Sequence, residues 1–262
     1  MTEVILYLLT GAAAGLSAGL LGIGGGLIIV PILFFIFSSQ HLAAEHVMHM
    51  ALATSLATII VTSVSSTRAH HKHGAVLWPI VFNLSPGILI GAWLGATFAS
   101  ALASDILTPA FGVFELLVAI NMLVNYRPAR HTTSISTTKS ITAGIVIGSV
   151  SSVVGIGGAT LTVPFLLWHN ISIRNAVASS AACGFPIAIA GTTAYVISGW
   201  NSEGLPAYTL GYVNLPAFAT IIITSMITAP AGAALAHKLP ERTLRLFFAL
   251  FLLALSFKML LL

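Results

Sequence analysis

The sequence predicts an all-α polytopic membrane protein made of two inverted-topology repeats, each a broken, re-entrant glycine-containing helix hairpin followed by three transmembrane helices. Three observations carry this reading: a composition too apolar for a soluble surface, apolar runs that exceed the thickness of a bilayer, and a glycine motif that occurs twice. Of 262 residues, 57% are hydrophobic and 6% charged, against about a quarter charged in an average soluble domain. Ten basic and six acidic side chains cannot clothe a soluble fold of this size. Mean hydropathy is +1.02. The single cysteine, Cys183, excludes an internal disulfide and a cysteine-based metal cluster. In such a chain a net charge of +4 reports which loops face the cytoplasm and does not point to a nucleic-acid partner. Glu3, with no Lys or Arg ahead of the first apolar run, is the pattern expected without a cleavable signal peptide.

Eight apolar segments follow in order, at about 4–37, 42–67, 76–102, 106–124, 141–168, 176–200, 212–236 and 244–262. The polar stretch between the fourth and fifth holds Arg127, Arg130, Lys139 and a Ser/Thr run. It divides the chain into repeat 1 (1–125), a cytoplasmic linker (126–140) and repeat 2 (141–262). Leu21-Gly22-Ile23-Gly24-Gly25-Gly26, followed by Val30-Pro31, returns as Val154-Gly155-Ile156-Gly157-Gly158-Ala159, followed by Val163-Pro164, at one constant offset. Ala53-Thr54-Ser55 matches Ala178-Ser179-Ser180 at a second offset. Pro79, Gly95, Leu107, Phe111 and Met122 match Pro216, Gly232, Leu244, Phe248 and Met259 at a third. Offsets that stay constant within blocks and change only at loops indicate duplication.

The glycine segments are predicted to be broken helices. Residues 4–37 as one helix would run about 51 Å, against a hydrocarbon core of about 30 Å. Glycine in a helix interior costs about 1 kcal/mol per residue, and Pro31 removes an amide donor. A helix that stops at the glycines and restarts near Leu27 meets these constraints, and 141–168 breaks likewise at 155–158. Unwound backbone at that depth is tolerated only against protein or a wet cavity.

Charge placement orients the chain. If 141–168 enters, turns at the glycines and returns, then Arg68, Lys72, Arg127, Arg130, Lys139, Arg174, Lys238, Arg242 and Arg245 share one face. A full crossing would split them, which the positive-inside rule disfavours. The first hairpin follows by repeat equivalence. The expected topology places both termini outside and the linker in the cytoplasm of a multi-pass inner-membrane protein. Inverted repeats with interrupted helices are the architecture of many secondary transporters, with the site at the interruptions.

At such a break the restarting helix offers free amides and its positive dipole end. Gly24, Gly25, Gly26 and Leu27, with Gly157, Gly158, Ala159 and Thr160, are the expected cradle for a small anion. Thr54, Ser55, Ser179, Ser180, Thr160 and Thr162 are candidate hydroxyl donors. The alternative use of the glycines is close helix packing.

These residues carry a family resemblance. GLLGIGGGLIIVP (19–31), GIGGATLTVP (155–164) and the ALATS and AVASS segments resemble the sulfite-exporter (TauE/SafE) family of membrane transporters, over essentially the whole chain. The resemblance implies movement of small sulfur-containing anions such as sulfite, thiosulfate or organosulfonates. Ala159 and Thr162 depart from the family pattern.

Glu115 is the only acid well inside an apolar segment, and its repeat equivalent is Leu252. A carboxyl at that depth is expensive and marks a coupling residue such as a proton carrier, or else a buried acid bonded to a neighbouring helix. Lys258 is expected to snorkel. His46 and His49 are separated from His70, His71 and His73 by about 36 Å of helix, so the two groups cannot share a metal. No motif calls for a cofactor. Gly15-Leu16-Ser17-Ala18-Gly19 has the spacing of a nucleophile elbow but sits in a helix, without the strand-to-helix turn that motif needs. The expectation is a secondary transporter of small anions, not an enzyme, with the lipid bilayer as partner; proton coupling and a homo-oligomer are both compatible with it. The competing readings are an intramembrane hydrolase built on Ser17 and His49, and a non-transporting assembly protein.

Overall fold

The computed structural model describes residues 2–21, 25–40, 42–124, 136–236 and 241–261. Helices α1 (Thr2–Leu21), α2 (Gly26–Ser39), α3 (Val47–Lys72), α4 (Trp78–Ser100) and α5 (Ser104–Val124) come from the first half. Helices α6 (Thr137–Val154), α7 (Ala159–Trp168), α8 (Ile173–Ser198), α9 (Leu215–Ala236) and α10 (Glu241–Leu260) come from the second. A two-stranded antiparallel ribbon, β1 (Thr209–Leu210) and β2 (Val213–Asn214), joins α8 to α9. The chain is an all-α polytopic membrane protein. Among the described residues, α3, α4, α5, α6 and α8 are long and apolar enough to cross a bilayer.

Burial sorts the helices by role. Every residue of α3 from Val47 to Ile59 is buried, as expected of a helix that is central and apolar all round. Helices α4, α5, α9 and α10 instead turn large apolar side chains outward, among them Phe82, Ile90, Phe98, Leu117, Ile227 and Phe247. An apolar exterior of this extent is stable only against lipid.

Packing follows a pattern that survives exchange of the halves. Helix α1 lies along α9 as α6 lies along α4, α2 meets α3 as α7 meets α8, and α3 meets α8 as α5 meets α10. The α4–α6 contact is backbone to backbone. A Cβ on Gly87, Gly91 or Gly95 would collide with the carbonyls of Ile141, Ile145 or Ser149, and one on Gly144 or Gly148 with those of Leu84 or Ile88. In the α1–α9 contact, Gly11 and Gly15 play the parts of Gly144 and Gly148, while Thr224 and Thr228 stand where α4 has Gly87 and Gly91. Thr228 Oγ1 donates across to the Ala12 carbonyl at 3.1 Å. Small residues and interhelical hydroxyl bonds are the usual adhesives in lipid, where no hydrophobic force joins helices.

Several boundaries differ from the sequence reading. Helix α3 begins five residues later than expected, after Ala43 at φ +42° and a 3-10 turn at Ala44–His46. It continues through His70, His71 and Lys72, and the Lys72 cation suits a helix C-terminus. Helix α6 starts at Thr137, inside the expected linker, because Ser136 caps it through the Lys139 amide. Arg127, Arg130 and Lys238 lie outside the described residues.

Candidate functional site

Both glycine segments break the helix. Helix α6 ends with Gly155 at φ +68°, and the Ile156 amide reaches back to the Ser151 carbonyl at 2.9 Å while that of Gly155 bonds Ser152 at 3.3 Å. This is a left-handed C-terminal cap, which strongly favours glycine. Helix α7 restarts at Ala159, its first internal bonds running from Leu161 and Thr162 to the Gly158 carbonyl. Helix α2 restarts at Gly26, and Ile28 and Ile29 bond the Gly25 carbonyl at 3.0 and 2.9 Å. Neither restart has a side-chain cap. The amides of Gly26 and Leu27, and of Ala159 and Thr160, therefore precede the internal ladder of their helices. Gly24 lies outside the described residues.

The two breaks touch. A Cβ on Gly26 would sit 2.9 Å from both the Gly155 carbonyl oxygen and the Ile156 Cα. Helix α3 supports the junction, with Ser55 Oγ donating to the Gly155 carbonyl at 2.7 Å and Leu52 filling the space beside Gly155. Tyr195 of α8 donates to the Ser152 carbonyl at 3.2 Å.

The remaining hydroxyls have specific tasks. Thr54 Oγ1 accepts the Asn214 amide at 3.0 Å, and Ser179 Oγ accepts the Leu77 amide at 3.0 Å. These bonds correspond under the repeat: each central helix holds the residue that opens α9 or α4 of the opposite half. Ser180 Oγ donates within its own helix to Val177 at 2.8 Å. Ser151 Oγ in the last turn of α6, and Thr160 Oγ1 and Thr162 Oγ1 in the first turn of α7, have no hydrogen-bond partner among the described residues. Nor has either oxygen of Glu115, which is 0% exposed in α5.

Sequence reasoning missed Asn214, whose Oδ1 accepts the Ala217 amide at 2.9 Å and caps α9. Its signal was present as an Asn two residues before Pro216. It also missed Ile59, Cys183, Gly184 and Ile187, which surround Gly157 and Gly158 and carry no polar signature. The histidines separate as expected. His49 Nε2 donates to the Leu102 carbonyl at 2.9 Å, and its ring stacks on Tyr212 at 5.0 Å beside His46. His71 Nδ1 accepts from Trp78 Nε1 at 3.1 Å at the far end of α3. Ser17 donates to the Ala13 carbonyl of its own helix, and Gly15 lies against Ser225 and Thr228, so the elbow-like string serves packing. Lys258 is exposed, its ammonium 4.1 Å from the Phe35 ring centroid. A groove of about 640 Å³ opens between α6 and α7, lined by Lys139, Val146, Phe165 and His169 among others.

A lipid-facing helical exterior around two touching helix breaks is the fold of a multi-pass membrane protein. The chain belongs to the sulfite exporter TauE/SafE family, whose model matches residues 7–259. It is 40% identical over 259 residues to a probable membrane transporter protein of Haemophilus influenzae, covering 98% of each chain. It is 28% identical to a probable membrane transporter protein of Methanocaldococcus jannaschii, over 92% of this chain and 89% of that one. Against the probable membrane transporter protein YunE of Bacillus subtilis the identity is also 28%, over 93% and 92%. No solved structure matches the chain.

Proposed function

We propose that this protein is a secondary transporter or permease for small anions, sulfur-containing ones such as sulfite, thiosulfate or organosulfonates first among them, bound where the two glycine breaks meet. The observation that carries the proposal is the contact of Gly26 with Gly155 and Ile156, which sets the first uncapped helix start against the turn that leads into the second. Backbone amides at a helix start attract negative charge without any cationic side chain. The halves, 1–125 and 141–262, are read as inverted repeats with both termini outside the inner membrane and the 126–140 linker in the cytoplasm. The exchangeable packing of α1–α9 and α6–α4 supports that reading. Helix α7, about 15 Å long, reaches half-way through a core of about 30 Å, which suits a mid-membrane site. Helix α6, about 27 Å long, enters tilted in this arrangement. Rocking of the halves about α3 and α8 alternates access.

Glu115 is assigned as the coupling residue. A carboxyl at 0% exposure with both oxygens unpaired is costly as an anion, and a proton that binds and leaves it couples the bilayer potential to transport. In proteoliposomes, Glu115→Gln is expected to abolish the dependence of uptake on an imposed pH gradient while substrate binding persists. An unchanged dependence would remove Glu115 from the mechanism.

The site itself is tested by Gly158→Ala. The added methyl meets Ile187 Cδ1 at 2.9 Å and Thr162 Oγ1 at 3.1 Å, both ends of mobile side chains. The fold should survive while the amide cradle is blocked. Expected is loss of uptake of sulfite, thiosulfate or an organosulfonate by more than tenfold with a normal melting profile. Wild-type rates in the variant would refute the cradle. A hydrolase reading finds less support, since Ser17 and His49 are each engaged with other partners.

A further inference from the structure

The groove between α6 and α7 has a counterpart in the first half, and the two differ in what covers them. There the equivalent arms are α1 and α2, and α10 packs against both. Lys258 of α10 sets its ammonium 4.1 Å from the ring centroid of Phe35, the residue equivalent to Trp168. The counterpart of α10 is α5, with Asn121 in place of Lys258. Among the described residues α5 makes no comparable contact with α6 or α7. One hairpin is therefore closed by a helix that brings a cation, while the other stays open.

The open groove carries a cation of its own. Thr138, Lys139 and Thr142 line it, where the first half has Ile5, Leu6 and Leu9, all exposed apolar residues. Polar groups thus replace apolar ones on a face that otherwise meets lipid. No acidic side chain lines the groove among the described residues, so the Lys139 ammonium is not neutralised there. Deeper along α6 and α7 the walls become Ala143, Val146 and Phe165. From Lys139 to Val146 is about 10 Å of helix, which takes the groove from a charged mouth to an apolar floor. Its volume of about 640 Å³ is that of a ligand site, roughly 300–1,000 Å³.

The mouth sits at the edge of the bilayer. Helix α6 is a membrane-spanning candidate that begins at Thr137, and Trp168 ends α7 beside it, half exposed. Tryptophan and lysine are the side chains that favour the headgroup level. In the orientation proposed above this edge is cytoplasmic, where basic pockets between membrane helices take anionic headgroups.

We propose that this groove binds one anionic glycerophospholipid of the surrounding bilayer, of the phosphatidylglycerol type. Its phosphate meets Lys139, with Thr138 and Thr142 alongside, and an acyl chain runs inward over Ala143, Val146 and Phe165. The lipid does for the second hairpin what α10 does for the first, and it holds the two helices that flank the second break. The lipid site stands whether or not that break carries an anion.

The test is native mass spectrometry of the purified full-length protein, stripped of lipid in a neutral detergent, alongside its thermal melt. Dioleoyl-phosphatidylglycerol should bind at least tenfold more tightly than dioleoyl-phosphatidylcholine and raise the melting temperature. Lys139→Gln should weaken phosphatidylglycerol binding about tenfold, the usual loss for a hydrogen bond to a charged group. Lys258→Gln removes a cation at the closed hairpin and should leave that binding at the wild-type level. Val146→Trp, on an exposed position, fills the groove and should weaken both lipids. Equal binding of the two lipids would overturn the proposal, as would wild-type affinity in either Lys139→Gln or Val146→Trp. If glycerol 3-phosphate displaces phosphatidylglycerol at equal concentration, the groove is a site for free phosphate esters and not for lipid. A dimer that Val146→Trp splits would make a second copy of the chain the occupant, and the lipid assignment would fall.

Discussion

The first and second glycine breaks derive from one motif, yet they solve different problems. At the second, Gly155 adopts a left-handed conformation with Leu52 packed on it, and Ala159, buried with its methyl in place, opens the next helix. At the first, the helix opens on Gly26 because the partner break lies 2.9 Å from where its Cβ would be. The second copy carries a methyl at the equivalent position, Ala159. The sequence holds the turn motif twice, and the contact between the two copies leaves no room for a Cβ at Gly26. The paired helices teach the same lesson. The α4–α6 contact uses glycine where α1–α9 uses Thr224 and Thr228, and a hydroxyl bond from Thr228 to Ala12 holds the helices that glycine would bring closer.

Three substitutions probe that difference. Gly155→Ala should be the most damaging, combining a left-handed penalty of about 1–2 kcal/mol with overpacking of about 1–3 kcal/mol against Leu52. Its melting temperature in detergent should fall furthest, and a near-native value would mean that the cap is not glycine-dependent. Gly26→Ala carries the overpacking cost alone, about 1–3 kcal/mol, since the obstacle is the Gly155 and Ile156 backbone. A melt as mild as that of a surface variant would show that the breaks do not touch. Ala159→Gly should cost under about 1 kcal/mol. If it proved as harmful as Gly26→Ala, the two breaks would be equivalent and the asymmetry argued here would be lost.

Much of this was legible along the chain. Composition and run length gave the membrane class, and the doubled motif gave two helix breaks within a residue or two of their observed places. The glycines were visible because backbone conformation is a local property and glycine has few substitutes in it. The tasks of the hydroxyls were not. Thr54 and Ser179 read as candidate donors to a ligand, but each accepts an amide from a helix start in the opposite half. Those partners lie far off in sequence, at Asn214 and Leu77. The unpaired state of Thr160, Thr162 and Ser151 was equally hidden, because satisfaction of a polar group depends on neighbours that only folding assembles. The β1–β2 ribbon, with Gly211 at φ +53° and Tyr208 at φ +63°, lay within a stretch whose alternation was too short to register.

By itself the sequence determined that this chain enters a bilayer, that its glycine motif occurs twice, and that the helix breaks at each occurrence. These follow from transfer free energy and backbone sterics, which act residue by residue. Tertiary structure alone decided that the breaks meet, that Gly26 is a crowded start, and that Thr54 and Ser179 hold helix starts of the opposite half. Those outcomes depend on distances between segments more than a hundred residues apart, and no local preference encodes a distance of that kind.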